Sequence, residues 1–157
     1  AELEKRGSLS AVVTQNIDGL HQSAGSERIF ELHGNWSRLL CMGCGRRFSI
    51  ADFDEARTGA VPRCPSCACV VRPDIVFYGE MLGSGVLEGA VRAIADADML
   101  IVAGTSLVVY PAAGLVDYYD GDRLVLMNAT PTPYDSRTNL VIREPVGKVF
   151  AELSQAV

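Results

Sequence analysis

Asp98-Met99-Leu100-Ile101-Val102-Ala103, followed at once by Gly104-Thr105-Ser106, reads as a buried β-strand that delivers a glycine and two hydroxyls at its C-terminal end. The same pattern occurs twice more. Leu9-Ser10-Ala11-Val12-Val13-Thr14 runs into the polar cluster Gln15-Asn16-Ile17-Asp18-Gly19, and Arg123-Leu124-Val125-Leu126-Met127 runs into Asn128. Short apolar runs without polar alternation predict strands covered on both faces, as in a parallel sheet. Polar residues just beyond the C-terminal ends of such strands are where open α/β sheets bind ligands.

Helical patterns lie between these strands. Residues 86–97 place apolar side chains at Val86, Leu87, Ala90, Val91, Ile94 and Ala95, and residues 111–119 open with a proline suited to the first helical position. A last strand at 140–142 and a last helix at 146–156 complete the alternation. It predicts right-handed βαβ crossovers, hence an α/β class with a Rossmann-like, mostly parallel sheet. Residues 41–70 break the rhythm, being rich in Cys, Gly, Arg and Pro with one short helical stretch at 50–57. They read as a small inserted zinc-ribbon module, which leaves 1–40 and 71–157 as the Rossmann-like domain.

The bulk composition narrows the classes of function. The 157 residues are 48% hydrophobic and 21% charged, with no apolar run long enough for a transmembrane helix, so no membrane partner is expected. A net charge of −5 with 14 scattered basic residues excludes an electrostatic footprint for nucleic acid. The first seven residues read as the tail of a helix closed by Gly7, without an initiator Met, and predict that further sequence precedes Ala1. No secretory apolar stretch is present, so a cytoplasmic location is expected and the five cysteines read first as thiolates.

Four of those cysteines form two knuckles, Cys41-Met42-Gly43-Cys44 and Cys64-Pro65-Ser66-Cys67, separated by 19 residues. Each knuckle offers two sulfurs on one tight turn, and two facing turns make the tetrahedron that Zn²⁺ prefers. Four protein ligands leave no open position, so the metal is expected to be structural. A C-x-x-C redox couple is the competing reading, which the pairing of two knuckles argues against. Cys69 is left over, as a substitute ligand or a small buried hydrophobe.

Three polar clusters are open to two readings each. In Gln15-Asn16-Ile17-Asp18-Gly19-Leu20-His21 the amides can recognise a carboxamide or ribose hydroxyls and Asp18 can accept from a ring donor, or the segment is an Asp-Gly turn capping a helix. His33, in Phe30-Glu31-Leu32-His33-Gly34, can take a proton near neutral pH or serve as a hydrogen-bonded core residue. Gly104-Thr105-Ser106-Leu107 can cradle a phosphate or ribose, or form an ordinary strand-to-helix turn. No G-x-G-x-x-G follows a strand.

In order and spacing, Thr14-Gln15-Asn16-Ile17-Asp18-Gly19-Leu20-His21, His33-Gly34, the two C-x-x-C pairs, Arg72-Pro73-Asp74-Ile75-Val76-Phe77-Tyr78-Gly79-Glu80, Gly104-Thr105-Ser106-Leu107 and Asn128 together resemble the sirtuin family of NAD-dependent protein deacylases. The resemblance implies one structural zinc on Cys41, Cys44, Cys64 and Cys67, and NAD as co-substrate. Gln15, Asn16, Ile17 and Asp18 would line the nicotinamide end, and Gly104, Thr105, Ser106, Asn128, Ala129, Thr130 and Val146 would hold the rest. His33 would be the general base. An acyl-lysine peptide would add as a strand against Val76, Phe77, Gly79 and Glu80 on one side and Leu107 and Val109 on the other.

Lysine would lose its acyl group to give nicotinamide and an O-acyl-ADP-ribose. Mono-ADP-ribosyl transfer and a non-catalytic zinc-stabilised binding fragment are the alternatives. Two departures from the family pattern stand out. Its N-terminal phosphate-loop segment has no counterpart in these residues, which implies little activity for this chain alone. Thr130 also stands where the family often has an acidic residue.

Overall fold

Strand β1, Val12–Thr14, starts later than the apolar run 9–14 predicts, because the residues before it are spent on a helix end. Helix α1, Glu2–Lys5, closes through the Ser8 and Leu9 N–H groups, which both donate to the Leu3 carbonyl, at 2.9 and 3.1 Å, with Gly7 at φ +74°. This is the glycine-closed helix end read from the sequence. The computed structural model describes residues 1–53 and 59–156, which form two compact units, Ala1–Leu87 and Glu88–Val157.

In the first unit β1 pairs in parallel with β2, Ile29–Glu31, across the short helix α2, Leu20–Ser23. The ladder runs on past β2, since the Leu32 N–H donates to the Thr14 carbonyl at 3.0 Å. The chain then turns through His33 into β3, Gly34–Cys41, the centre of an antiparallel sheet ordered β4-β3-β5. Its neighbours are β4, Arg47–Ser49, and β5, Val71–Ile75. A register shift between Asn35 and Leu39 interrupts β3, so its buried positions do not alternate. That bulge is the physical reason an eight-residue strand carries no period-2 signal.

Leu39, Cys41, Phe53, Cys64 and Val71 form a small core here, with Phe48 and Ile50 packed against it. Phe48 meets Phe53 edge to face at 5.1 Å between centroids. Of the helical stretch expected at 50–57, Ile50–Asp52 is a 3₁₀ turn capped reciprocally by Ser49 and Asp52, and 54–57 lie outside the described residues.

The second unit carries three parallel strands in the order β6-β7-β8: Leu100–Ala103, Leu124–Met127 and Leu140–Ile142. Only the central β7 is buried along its whole length; Ile101 of β6 and Leu140 of β8 keep exposure. Helix α3, Ser84–Ala95, begins and ends two residues before the predicted 86–97 and buries Ala90, Ala93 and Ile94. The stretch predicted as a helix at 111–119 is instead a 3₁₀ run, Ala112–Tyr118. Tyr119 finishes it by donating its hydroxyl to the Asp98 carbonyl at 3.0 Å and accepting from the Arg123 N–H at 3.2 Å. One phenol thus ties the approach to β6 to the approach to β7. Helix α4, Val146–Ala156, follows β8. Among the described residues no helix is long and apolar enough to cross a membrane.

Gly34 is the tightest point of the first unit. It pairs with Ile75 at φ +79°, and a Cβ on it would lie 2.0 Å from the Asp74 carbonyl oxygen. Backbone cannot yield as a flexible side chain does, so only glycine fits. Gly34→Ala is expected to cost about 3 kcal/mol and lower the melting temperature by roughly 10 °C. Gly45→Ala, at φ +69° with nothing within 4 Å of its Cβ, meets backbone strain alone and is expected to cost about 1 kcal/mol. Equal shifts for the two variants in thermal unfolding would contradict the clash.

Candidate active site and metal centre

The two knuckles meet at the end of the antiparallel sheet. Cys41 closes β3 opposite Val71, the first residue of β5, and the Met42 N–H donates to the Val70 carbonyl at 2.9 Å. Across the pairs, the Cys41 and Cys67 sulfurs are 3.4 Å apart and those of Cys44 and Cys64 3.7 Å, and all four lie within 4.8 Å of one another. A tetrahedral zinc with bonds of ~2.3 Å needs sulfurs about 3.8 Å apart. The donor set fits that ion in number, softness and spacing.

The electrostatics also fit. Donation from the Cys44 N–H, aided by Gly43 and opposed by burial, lowers the Cys41 thiol to about 6. The Cys67 sulfur accepts from the Cys69 N–H, yet the neighbouring Cys41 sulfur and burial push it up to about 12. Sulfurs this close compete for negative charge, and a dication removes the conflict. Gly43 is required because a Cβ there would lie 2.4 Å from the Cys69 sulfur. Cys69 is exposed, which corrects its reading as a small buried hydrophobe: its side chain lies over the backbone of exposed Gly43 at the module's surface.

His33 sits at the other end of the same sheet. Its Nδ1 lies 3.0 Å from the Gln15 carbonyl oxygen. A carbonyl can only accept, so this bond requires Nδ1 to carry the proton and leaves the Nε2 lone pair available. The segment 15–19 that provides the carbonyl is itself fixed: the Asn16 N–H donates to Thr14 Oγ1 at 3.1 Å and the Trp36 N–H to the Ile17 carbonyl at 2.9 Å. Asp18 Oδ1 accepts from the Leu20 N–H at 3.0 Å in a turn that leads into α2, whose N-cap position is Gly19 without a side-chain cap. Asn16 is exposed.

The Val76 N–H donates to the His33 carbonyl at 2.9 Å, which joins the histidine to the turn 76–80. A bidentate pair from Arg72 to Glu80, at 2.6 and 3.0 Å, closes that turn, and the Phe77 N–H donates to Glu80 Oε2 at 3.0 Å. The Arg72 guanidinium also lies 5.0 Å from the Phe77 ring centroid. Val76, Phe77, Gly79 and Glu80 therefore form one element, presenting Phe77 and an almost fully exposed Tyr78 to solvent. Glu80 is committed to Arg72, whose guanidinium holds the carboxyl below its ordinary range.

In the second unit the expected residues gather at the C-terminal ends of the parallel strands. Gly104, at φ +63°, donates its N–H to the Met127 carbonyl at 2.9 Å, and Val146 lies 3.8 Å from where its Cβ would be. Buried Asn128 donates its side-chain amide to the Thr130 carbonyl at 2.8 Å. Thr105 Oγ1 accepts from the Leu107 N–H at 3.3 Å, while Ser106, Ala129 and Thr130 are exposed. Leu107 is buried at φ +54° and Val109 is 40% exposed.

Sequence reasoning missed Arg143, which donates to the Asn128 carbonyl at 2.8 Å and the Thr130 carbonyl at 3.1 Å and pairs with Asp135. It follows β8 directly, so the rule that flagged Asn128 would have flagged it too. Arg72 was quoted only as part of a motif, and Glu31 and Asn35 not for any role.

A family model described as "Sir2 family" matches residues 1–111. An NAD-dependent protein deacetylase of Clostridium acetobutylicum is 49% identical over 150 residues, 96% of this chain and 61% of that protein. One from Cutibacterium acnes is 47% identical over 157 residues, 100% of this chain and 63% of that protein. The chain thus spans about three-fifths of the length of these curated relatives. A solved Sir2 bound to acetylated peptide superposes with a TM-score of 0.92 at 38% identity, covering 99% of this chain and 67% of that one. A Sir2 complex with p53 peptide and NAD+ gives 0.91 at 38%, covering 99% and 66%.

Structural zinc in small modules binds with on the order of 10 kcal/mol, comparable to the whole stability of a domain. Chelating the metal is therefore expected to unfold the region around β3, β4 and β5 in a cooperative step seen by circular dichroism. An unchanged melting curve after verified zinc loss would contradict a structural role.

Proposed function

The chain belongs to the Sir2 family, and from that premise we propose that it works as an NAD-dependent protein-lysine deacetylase, with other acyl groups within its chemistry. The observation that carries the reading is the His33 ring, fixed through Nδ1 on the Gln15 carbonyl with Nε2 left as a base. NAD, as co-substrate, supplies the ribose carbon that accepts the acyl oxygen and the hydroxyl to which the acyl group passes. His33 takes the proton from a ribose hydroxyl, and water completes the balance. The products are the free lysine, nicotinamide and O-acyl-ADP-ribose.

The remaining assignments follow the same reading. Gln15, Asn16, Ile17 and Asp18 receive the nicotinamide end, and Gly104, Thr105, Ser106, Asn128, Ala129, Thr130 and Val146 receive the rest of the dinucleotide. Val76, Phe77, Gly79 and Glu80, and separately Leu107 and Val109, are the residues that contact the acyl-lysine peptide. Val76 and Phe77 give the lysine stem an apolar surface, and the bonds among Arg72, Phe77 and Glu80 support it by pre-shaping the turn. Cys41, Cys44, Cys64 and Cys67 hold zinc for structure alone. Residues 41–70 act as the zinc module and 1–40 with 71–157 as the NAD-binding part, in a cytoplasmic protein.

With the family's N-terminal phosphate-loop segment joined ahead of Ala1, the chain is expected to yield O-acetyl-ADP-ribose from NAD and an acetyl-lysine peptide, read by mass spectrometry. His33→Ala is expected to reduce the product at least ~100-fold, as befits removal of a general base, while NAD binding is retained. ADP-ribose attached to protein in place of O-acetyl-ADP-ribose, or full turnover by His33→Ala, would overturn the assignment.

A further inference from the structure

We infer that Asn35, held by Glu31, is the positioning residue that keeps His33 in its single proton-accepting form. The Gln15 carbonyl selects the Nδ1–H tautomer only while the segment 15–19 stays where it is. The Asn35 side chain lies against that segment. A Cβ on Gly19 would be 3.2 Å from Asn35 Nδ2, so the bare Gly19 backbone faces the amide. The next residue, Trp36, donates its N–H to the Ile17 carbonyl. Trp36 thus bonds the segment and Asn35 packs against it, from two consecutive positions of β3.

Asn35 is 3% exposed and its orientation is determined. Its Oδ1 accepts from the Ser37 N–H at 2.9 Å and the Ser37 hydroxyl at 2.6 Å, and its Nδ2 donates to Glu31 Oε1. A flipped amide would set NH₂ against a donor and an oxygen against a carboxylate. Glu31, whose side chain is 9% exposed, is anchored in turn: Gln22 Nε2 donates to it at 2.6 Å and Arg38 pairs with it at 2.7 Å. Arg38 also lies 3.8 Å from Asp74, the residue whose carbonyl crowds Gly34. The chain of polar contacts therefore runs from Asp74, on the β5 side of the His33 turn, through Arg38 and Glu31 to Asn35, whose amide packs against Gly19 in the segment that orients the ring. Asn35 touches no reacting atom and acts through the Gln15 carbonyl.

The importance of this for turnover rests on the proposed function, but its test does not. Imidazole ¹⁵N chemical shifts distinguish the two neutral tautomers, and the chain has only two histidines, His21 and His33. At a pH where both are neutral, His33 of the unmodified chain is expected to show the Nδ1–H form alone. Asn35→Asp keeps the shape and both Ser37 bonds but sets carboxylate against carboxylate, and is expected to bring the Nε2–H form of His33 to about half or more, with His21 unchanged. The swap Glu31→Gln with Asn35→Asp lets the new amide donate to the new carboxylate, and is expected to restore the single form.

Retention of the Nδ1–H form in folded Asn35→Asp would overturn the inference. If that variant does not fold, the swap decides: the single Nδ1–H form in it upholds the inference, and a tautomer mixture overturns it. Loss of deacetylation with these shifts as expected would count against the proposed function, not against the positioning role.

Discussion

The antiparallel pairing of β3 with β5 is the constraint on which the first unit depends. One end of the ladder, Cys41 opposite Val71, sets the first zinc knuckle; the other, Gly34 opposite Ile75, fixes the turn that presents His33. The two ends lie four β5 residues apart, about 13 Å along that strand, so a metal site and a base share one pair of strands. The close approach of Gly34 to Asp74 defines the register at one end, and the facing sulfurs define it at the other. A metal that touches no substrate can thereby matter to a histidine it never approaches.

Polar bonds then refine what the ladder positions. The His33 ring, the 15–19 segment, the Glu31 and Asn35 pair and the Arg72 and Glu80 pair are joined through bonds to backbone groups as much as to side chains. Each hydrogen bond of this kind has a modest net worth, but an unpaired buried group costs more, about 1–3 kcal/mol, so the arrangement holds as a set. In the second unit, Asn128 and Arg143 serve the same end around the C-terminal ends of β7 and β8, where the Asn128 carbonyl is taken by Arg143 and its amide by Thr130.

Strands whose residues are simply apolar were legible from sequence: β7 is buried throughout, and 100–103 and 124–127 lie within the predicted runs. The antiparallel sheet was not, because the bulge after Asn35 destroys alternation in β3 and its partners are short. Residues 112–118 kept the predicted place but not the helix type. In the site, paired cysteines announce themselves because tetrahedral coordination demands a fixed spacing. His33 did not, since the partner that decides its tautomer is a main-chain carbonyl, and every residue has one. Glu31 and Asn35 were silent for a similar reason, their pairing being made across the turn through His33 and Gly34 and not along one face of a strand or helix.

Native-state hydrogen exchange, read at two amides with and without zinc, tests the shared ladder most directly. The Met42 N–H is bonded beside the metal and the Val76 N–H beside His33, both at 2.9 Å. If β3 and β5 act as one frame, chelation deprotects both amides together, with exchange at Val76 rising as steeply as at Met42. Protection persisting at Val76 while Met42 opens would show that the base keeps its place without the metal, and would contradict the account.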